Sequence, residues 1–222
     1  MKSITKLSWF FLLGLLVVAC KPSGDKAETS EAGEAAETSG VSYNVMPEGS
    51  MVMWIGSGVG KQHNGTVNVS KGIVSMENGK LTGGKFNMDM TSIVVKDLEG
   101  DRKGYLESHL KGLGDDNAND FFNTKSFPNS TFEITKATQL LNDENANYII
   151  NGNLTIKDVT KQVSFKAQVN ENDGMISVTT PQFTIDRTEW GIKYGSSTFF
   201  DDLKDKAIGN DIGFQINLAA KS

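Results

Sequence analysis

The sequence predicts an all-β domain, and two patterns support this most directly. In the stretch 147–169, NYIINGNLTIKDVTKQVSFKAQV, apolar or small residues alternate with polar ones from Tyr148 to Ile156 and again from Val163 to Val169. Successive side chains on a strand point to opposite faces, so this stretch predicts an antiparallel hairpin that turns at 157–161. The same alternation recurs along the chain and gives eight predicted strands with one apolar face. Eight such strands form either a closed barrel or a sandwich.

The eight predicted strands follow one another from residue 50 to residue 219. Asn78-Gly79 is a strong tight-turn signal between the second and the third. Pro181 within the seventh favours an edge position or a bulge, because proline has no N–H to donate to a ladder. The strands are 50–56, 66–76, 81–93, 130–139, the two arms of the hairpin, 175–186 and 210–219.

Two stretches interrupt this pattern. Between the third and fourth strands, Tyr105, Leu106, Leu110 and Leu113 fall at helical spacing, which predicts a short amphipathic helix across one end of the domain. Between the seventh and eighth strands comes RTEWGIKYGSSTFFDDLKDK, in which aromatic residues stand among glycines. A loop of this length is either a binding lid or a plug of ordinary core, and the sequence leaves both open.

The start of the chain predicts export. Lys2 and Lys6 precede an apolar run at 7–18, which is the layout of a secretory signal. The run ends in Val17-Val18-Ala19-Cys20, which resembles the lipobox of bacterial lipoproteins. That resemblance implies cleavage before Cys20, lipid attachment to Cys20, and a place in the cell envelope, at the periplasmic side of the outer membrane. The alternative is an ordinary signal peptide with an incidental cysteine.

The segment after Cys20 is acidic and has no large apolar side chain to bury. We therefore expect a signal peptide at 1–19, a disordered acidic tether at 20–40 and a folded domain at 41–222. As a flexible chain, such a tether has a reach of roughly 25 Å. Loss of the signal takes away two lysines and no acidic residue, which moves the net charge from −5 to about −7. A negative charge of this size disfavours a nucleic-acid partner.

Neither a metal site nor an enzyme is expected. The chain has only two histidines, His63 and His109, and no cysteine besides Cys20, which is too few ligands for a usual zinc site. No nucleophile elbow, phosphate loop or dinucleotide fingerprint appears, so no cofactor is expected. We interpret His109 as a residue that caps or braces the predicted helix rather than as a general base.

Charged residues near one end of the predicted strands are also given a structural role. We interpret Asp89 and the dipeptide Asp186-Arg187 as a structural pair at the rim, rather than as catalytic groups.

The apolar face is either a closed core or the wall of a cavity, and periodicity alone does not decide between them. Methionine suits an adaptable wall, but it also fills gaps in ordinary cores. The strand residues concerned are Phe86, Met88, Met90, Phe132, Ile134, Ile150, Leu154, Ile156, Phe165, Phe183 and Ile185. From the long loop we expect Trp190 and Tyr194 to line an entrance, with Phe199 and Phe200 against the barrel end. The competing interpretation makes Trp190 a buried plug.

Segments spread over residues 43–219 resemble the YceI-like domain family, which is lipocalin-like and polyisoprenoid-binding. The most characteristic segment is GNLTIK at 152–157, followed by Val159-Thr160-Lys161. The others include LTGGKF at 81–86, DMTSI at 89–93, HLK at 109–111, Phe121-Phe122, Phe127-Pro128, Thr131-Phe132, FTIDR at 183–187 and WGI at 190–192. The chain departs from the family pattern in the insertion Gly112–Asn119, and in Asp158, where the family usually has glycine.

The resemblance implies an eight-stranded antiparallel lipocalin-like barrel with a short helical insertion between strands three and four. It also implies a long apolar cavity for a polyisoprenoid or similar lipid, which makes the cavity wall the favoured interpretation of the apolar face. The expected function is that of a lipid-binding protein tethered to the membrane through Cys20. The alternative is a structural or protein-interaction lipoprotein with a filled barrel. A monomer and a homodimer both remain open.

Overall fold

The computed structural model describes residues 22–113 and 120–222, so the predicted signal peptide and Cys20 lie outside the described residues. These residues form twelve strands, one α-helix and three short 3-10 segments. The strands are β1 (Asp25–Lys26), β2 (Glu28–Glu31), β3 (Val41–Val45), β4 (Met51–Gly58), β5 (Lys61–Glu77), β6 (Lys80–Val95), β7 (Asn129–Gln139), β8 (Tyr148–Ile156), β9 (Val159–Asn172), β10 (Met175–Thr179), β11 (Phe183–Asp186) and β12 (Asp211–Lys221). The helix is α1 (Gly100–Lys111), and the 3-10 segments are Pro47–Gly49, Arg187–Trp190 and Lys204–Lys206.

Eight strands close into a ring in the order β12, β4, β5, β6, β7, β8, β9 and β10, and β10 pairs back onto β12. Each neighbouring pair in the ring is antiparallel. The sequence predicted an all-β domain, and the described residues are mostly β, with one α-helix. The predicted strand 175–186 is split, because Pro181 interrupts the ladder between β10 and β11. As a result β11 pairs with β12 but not with β9.

Short turns set the register of the ring. Asn78 has a φ of 51° and Gly79 a φ of 72°. A tight two-residue hairpin turn requires such positive values. In the hairpin at 147–169 the turn is also two residues long, Lys157 and Asp158, since Ile156 pairs with Val159. The turn is thus shorter than the predicted segment 157–161, and Lys157 takes the positive φ, 56°, so Asp158 is accommodated at the next position.

The helix α1 lies between β6 and β7 and ends at Gly112, whose φ of 68° closes the last turn. His109 and Leu110 are its buried residues, whereas Tyr105 faces solvent and Leu113 follows the helix. No helix in the described ranges is long and apolar enough to cross a membrane. Residues 114–119, most of the insertion noted in the sequence, lie outside the described residues.

One end of the ring carries most of the irregular structure, and we call it the mouth end. It comprises α1, the β4–β5 turn at 58–61, the β8–β9 turn and the loop 187–210 that joins β11 to β12. The opposite end carries the turns at 78–79 and 173–174 and the segment 140–147.

Residues 22–40 pack on the ring, so the prediction that 20–40 is disordered is wrong for this part. We call 22–40 the N-terminal belt. β1 pairs in parallel with β11, and the Ala27 N–H donates to the Thr184 carbonyl at 2.8 Å. β2 pairs with residues 161–164 of β9, on the side where β10 covers only 168–172. The belt therefore fills the gap in the wall that the break at Pro181 leaves.

After Glu31 the belt crosses the outside of the ring. The Asn153 side chain accepts from the Gly33 N–H at 2.9 Å and donates to the Gly33 carbonyl at 2.7 Å. Further along, the Ala36 N–H donates to the Ile134 carbonyl at 2.9 Å. Composition gave no sign of this docking, because backbone hydrogen bonds hold the segment and apolar side chains contribute little.

Candidate functional site

The ring encloses a cavity of about 590 Å³. This lies within the range of roughly 300–1,000 Å³ that is usual for ligand pockets. Inward-facing side chains from all eight ring strands form its wall, and α1 and the loop 187–210 add residues at the mouth end. The solvent-exposed wall residues, among them Lys61, Tyr105 and Lys206, are all at the mouth end. The cavity therefore opens there.

A row of five phenylalanines crosses the wall. The ring centroids of Phe86 and Phe132 are 6.4 Å apart, and those of Phe132 and Phe165 are 5.4 Å apart. Phe165 stacks on Phe183 at 4.6 Å, and Phe183 lies 6.1 Å from Phe214. Such aromatic pairs add to the stability from burial alone, so the row makes a rigid apolar surface.

Glycines on neighbouring strands make room for the large rings of the wall. A Cβ atom on Gly152 would lie 2.2 Å from the ring of Phe132, and one on Gly65 would lie 2.5 Å from the ring of Trp54. Both contacts are too short for any side chain. Gly152, which fills an apolar position of the predicted hairpin, is thus required by the ring packed over it.

Eleven of the predicted ligand-binding residues lie in the cavity wall. They are Phe86, Met88, Met90, Phe132, Ile134, Ile150, Leu154, Ile156, Phe165, Phe183 and Tyr194. Because inward-facing residues of a strand share one face, alternation alone was enough to place the strand residues among them.

Ile185 and Trp190 do not line the cavity, so their predicted placement is wrong. Trp190 is 0% exposed, and its indole N–H donates to the Leu154 carbonyl at 2.9 Å. Trp190 is therefore a buried core residue, as in the competing interpretation, and not an entrance residue. Ile185 shares the inward face of β11 with Phe183 but lies in the closed core beside the loop. Alternation gives the face of a residue, not the point along the strand where a cavity ends.

Arg187 organises the loop that closes part of the mouth end. Its side chain is buried and donates to the carbonyls of Ile192 at 2.6 Å, Gly209 at 3.0 Å and Ile208 at 3.3 Å. Burial lowers the pKa of its guanidinium to about 10, against the opposing effect of the neighbouring Asp186 carboxylate. The group stays protonated at neutral pH and ties both ends of the loop together.

The predicted structural pair between Asp89 and the dipeptide Asp186-Arg187 is not found among the hydrogen bonds and ion pairs of the described residues. Asp186 accepts from the N–H and the hydroxyl of Thr188, at 2.9 and 2.6 Å. Asp89 accepts in the same way from Thr91. Each carboxylate thus accepts hydrogen bonds within its own turn, because an Asp side chain readily bonds backbone N–H groups two residues ahead.

An aromatic cluster borders the opening. The ring of His109 lies 4.6 Å from Tyr194 and 5.0 Å from Phe121, both edge-on, and 6.3 Å from Tyr105. His109 is buried in the last turn of α1, where it joins the helix to the loop 187–210. This contact geometry is that of the predicted brace.

The second histidine lies on the rim of the cavity. His63 Nδ1 is 2.7 Å from Asp97 Oδ2, and the Asn64 N–H donates to the other carboxylate oxygen at 2.9 Å. Partial burial opposes ionisation of Asp97, but these hydrogen bonds outweigh it and hold the pKa below its usual value. In the described ranges no group of three or more His, Cys, Asp or Glu could hold a metal ion.

Sequence reasoning missed the wall residues contributed by β4, β5 and β12. Those on β12 are Ile212, Phe214, Ile216 and Leu218, which alternate strictly and were recognised as an apolar strand face. The alternation thus indicated these wall residues, but they were not included in the predicted binding site. Trp54 of β4 was missed as well, and its buried indole N–H has no protein partner among the described residues.

The comparisons with known proteins agree with this architecture. A family model of the YceI-like domain matches residues 43–220. No curated protein sequence matches the chain. Among solved structures, BcnA of Burkholderia cenocepacia aligns with a TM-score of 0.60 at 18% identity, over 80% of this chain and 99% of that one. A polyisoprenoid binding domain from Saccharophagus degradans, implicated in plant cell wall breakdown, aligns with a TM-score of 0.56 at 10% identity, over 81% and 98%.

At these identities the solved structures show a shared fold and no more. The family model matches most of the chain, and the matched range contains the whole ring from β4 to β10 and all but the last residue of β12. The chain belongs to the YceI-like domain family.

Proposed function

We propose that this protein is a membrane-tethered lipid-binding protein, which holds a polyisoprenoid or a similar long apolar chain inside a lipocalin-like barrel formed by the ring. The observation that carries the proposal is the cavity of about 590 Å³, with its wall of aliphatic and aromatic side chains. The alternative of a filled barrel would require side chains to occupy this volume. The cavity is complete within one chain, so binding needs no second copy.

Physical chemistry favours a long, flexible hydrocarbon in such a space. Each buried CH₂ group contributes about 0.8 kcal/mol, so one five-carbon isoprene unit contributes roughly 4 kcal/mol before the entropic costs of binding. Methionines in the wall, Met88 and Met90, adapt their shape to a guest at little cost. The polyisoprenoid-binding neighbour in Saccharophagus degradans supports this ligand class by analogy of fold.

The anchor and the location complete the proposal. The lipobox-like Val17-Val18-Ala19-Cys20 supports lipidation of Cys20 and placement in the cell envelope, at the periplasmic face of the outer membrane. A doubly acylated cysteine anchors a protein stably, whereas a single chain holds it only marginally. Replacement of Cys20 by serine should therefore move the protein from the washed membrane fraction to the soluble fraction. Retention of the Cys20→Ser variant in washed membranes would contradict the anchor.

The proposed role is binding rather than catalysis, so a bound lipid is released unchanged. The direct test is organic extraction of the purified protein followed by mass spectrometry. We expect one class of long-chain lipid in the extract, in close to molar proportion to the protein. Delipidated protein should then bind a series of prenols with an affinity that rises with chain length and levels off when the cavity is full. Absence of any length dependence would favour the filled barrel.

A further inference from the structure

Exposed aromatic side chains are concentrated around the opening of the cavity. Tyr105, Tyr194, Phe199 and Phe200 are between 43% and 69% exposed, and all four lie at the mouth end. No other aromatic side chain in the described ranges is exposed to this degree. We call these four residues the aromatic rim. At the opposite end the exposed large apolar residues are aliphatic, such as Leu141 and Met175.

The segment that carries the two phenylalanines is held in place. The N–H groups of Phe199 and Phe200 both donate to the carbonyl of Ser196 at 3.0 Å, and Ser196 itself is fully buried. Asn210 donates from its side chain to the Thr198 hydroxyl at 2.8 Å, which ties the segment to the start of β12. The fold therefore holds two adjacent phenylalanine side chains about half exposed to solvent. Apolar groups presented together around a cavity indicate a surface that meets a partner.

The first residues of the N-terminal belt fix the point on the ring from which the chain leads back to Cys20. Pro22 packs on the outside of the ring at Gly213, where an added Cβ would lie 3.0 Å from the proline Cβ. The Gln182 side chain holds the next residue through a hydrogen bond to the Ser23 carbonyl at 2.5 Å. Gly213 is the third residue of β12 and comes four residues after Gly209, which lies in the cavity wall. Along an extended chain that separation spans about 14 Å, at about 3.4 Å per residue.

Covalent geometry then limits the position of Cys20. Two Cα–Cα steps of about 3.8 Å separate Cys20 from Pro22, so covalent geometry keeps these two Cα atoms at most about 8 Å apart. Pro22 contacts the third of the eleven residues of β12, counted from the mouth end, so a lipid attached to Cys20 is tethered at the half of the ring nearer the mouth end. The docked belt removes the slack that a disordered tether of twenty residues would provide.

We propose that the mouth end rests on the membrane that holds the Cys20 anchor, with the aromatic rim in the bilayer interface. Aromatic rings favour this zone, where one part of the ring meets hydrocarbon and another meets water. The opening of the cavity then faces the lipid, and an apolar chain passes between bilayer and cavity without crossing water. This inference rests on the proposed lipidation of Cys20 and adds a fixed orientation to it.

The test measures which end of the full, lipidated protein approaches the bilayer. An acylated Cys20 leaves no other thiol in the chain, so a single introduced cysteine can carry a fluorophore. Phe200→Cys places the label on the rim, and Leu141→Cys, at an 85% exposed residue of the opposite end, is the matched control. Each protein is reconstituted into phosphatidylethanolamine–phosphatidylglycerol vesicles that contain a nitroxide-labelled lipid.

We expect the nitroxide lipid to quench the label at position 200 several-fold more strongly than the label at 141. Equal quenching at both positions, or stronger quenching at 141, would overturn the orientation. If the protein does not sediment with the vesicles at all, the anchor itself has failed, and the orientation falls with it. That outcome is distinct from a failure of lipid binding, which the extraction reports independently.

A second measurement uses the double variant Phe199→Ser/Phe200→Ser, whose exposed side chains contribute little to folding. Transfer of a fluorescent prenol from vesicles to the anchored protein should become several-fold slower, while prenol binding in solution stays unchanged. Unchanged transfer with normal anchoring would count against the rim as the docking surface.

Discussion

The cavity wall and the N-terminal belt are both built on strands, yet different forces hold them. The wall depends on inward apolar side chains, of which the row from Phe86 to Phe214 is the clearest example. The belt depends on backbone groups that pair with β9 and β11, and on the side chain of Asn153. Side-chain burial leaves a periodic pattern in a sequence, whereas backbone pairing leaves none. The difference explains why one region was visible in the sequence and the other was not.

The largest loss of stability is expected at Trp190, whose ring is fully buried in the core next to the cavity wall. Trp190→Ala should lower the free energy of unfolding by about 3–5 kcal/mol, since it removes a large buried side chain. Urea denaturation of delipidated protein measures this change. The matched variant Tyr194→Ala, at a partly exposed cavity residue, should cost much less stability but speed ligand release. If Trp190→Ala instead lost little stability and released ligand faster, Trp190 would line the entrance of the cavity, as first predicted.

Breaking the belt should have a smaller and more local effect. Asn153→Ala removes both hydrogen bonds to Gly33, and each such bond contributes about 1 kcal/mol. Amide hydrogen exchange should become faster across 27–40 and stay slow in β5 and β6. Asn151→Ala is the matched control, because Asn151 lies on the same strand face and its side chain makes no hydrogen bond within the described ranges. Fast exchange across 27–40 in the unmodified protein would show that the belt is not docked in solution.

A third variant distinguishes an open wall from a filled one. Met88→Trp adds a bulky ring at a flexible position of the cavity wall, where space is available. We expect prenol affinity to fall about tenfold, which corresponds to about 1.4 kcal/mol, while the free energy of unfolding changes by less than about 1.5 kcal/mol. A large loss of stability would mean that the barrel is filled at this point. Fluorescence titration and urea denaturation together report both quantities.

The smallest expected effect is a pH-dependent change in stability at Asp97, the partner of His63 at the edge of the cavity. The folded pKa of Asp97 is held below its unfolded value, so its ionised form stabilises the fold at all pH values above the unfolded pKa of about 3.9. That contribution is lost as the pH falls from about 4 through the lowered pKa. The stability advantage of the unmodified protein over Asp97→Asn should therefore shrink as the pH falls below about 4. An advantage that grew in acid would contradict the lowered pKa.

The family motifs and the alternation of side chains were sufficient to predict the strands of the ring, their apolar face and the part of the wall that β6 to β9 contribute. GNLTIK at 152–157 is a case in point, since its strand is found where it was expected and the turn begins at Lys157 as expected, although it is only two residues long. The position of Trp190 was not predictable, because a loop without periodicity carries no information about which of its aromatic residues turns inward. Only the bond from its indole to the Leu154 carbonyl decides that.

By itself, the sequence determined which faces of the strands are apolar, because hydrophobic burial acts on each side chain and repeats with the geometry of the strand. The tertiary structure alone decided that the inward faces leave a cavity, since an unfilled volume depends on the distance across the ring and not on any one residue. The tertiary structure alone also decided where the N-terminal belt docks. Backbone N–H and C=O groups are the same in nearly every residue, so the strand with which they pair depends on which edges the folded ring leaves open.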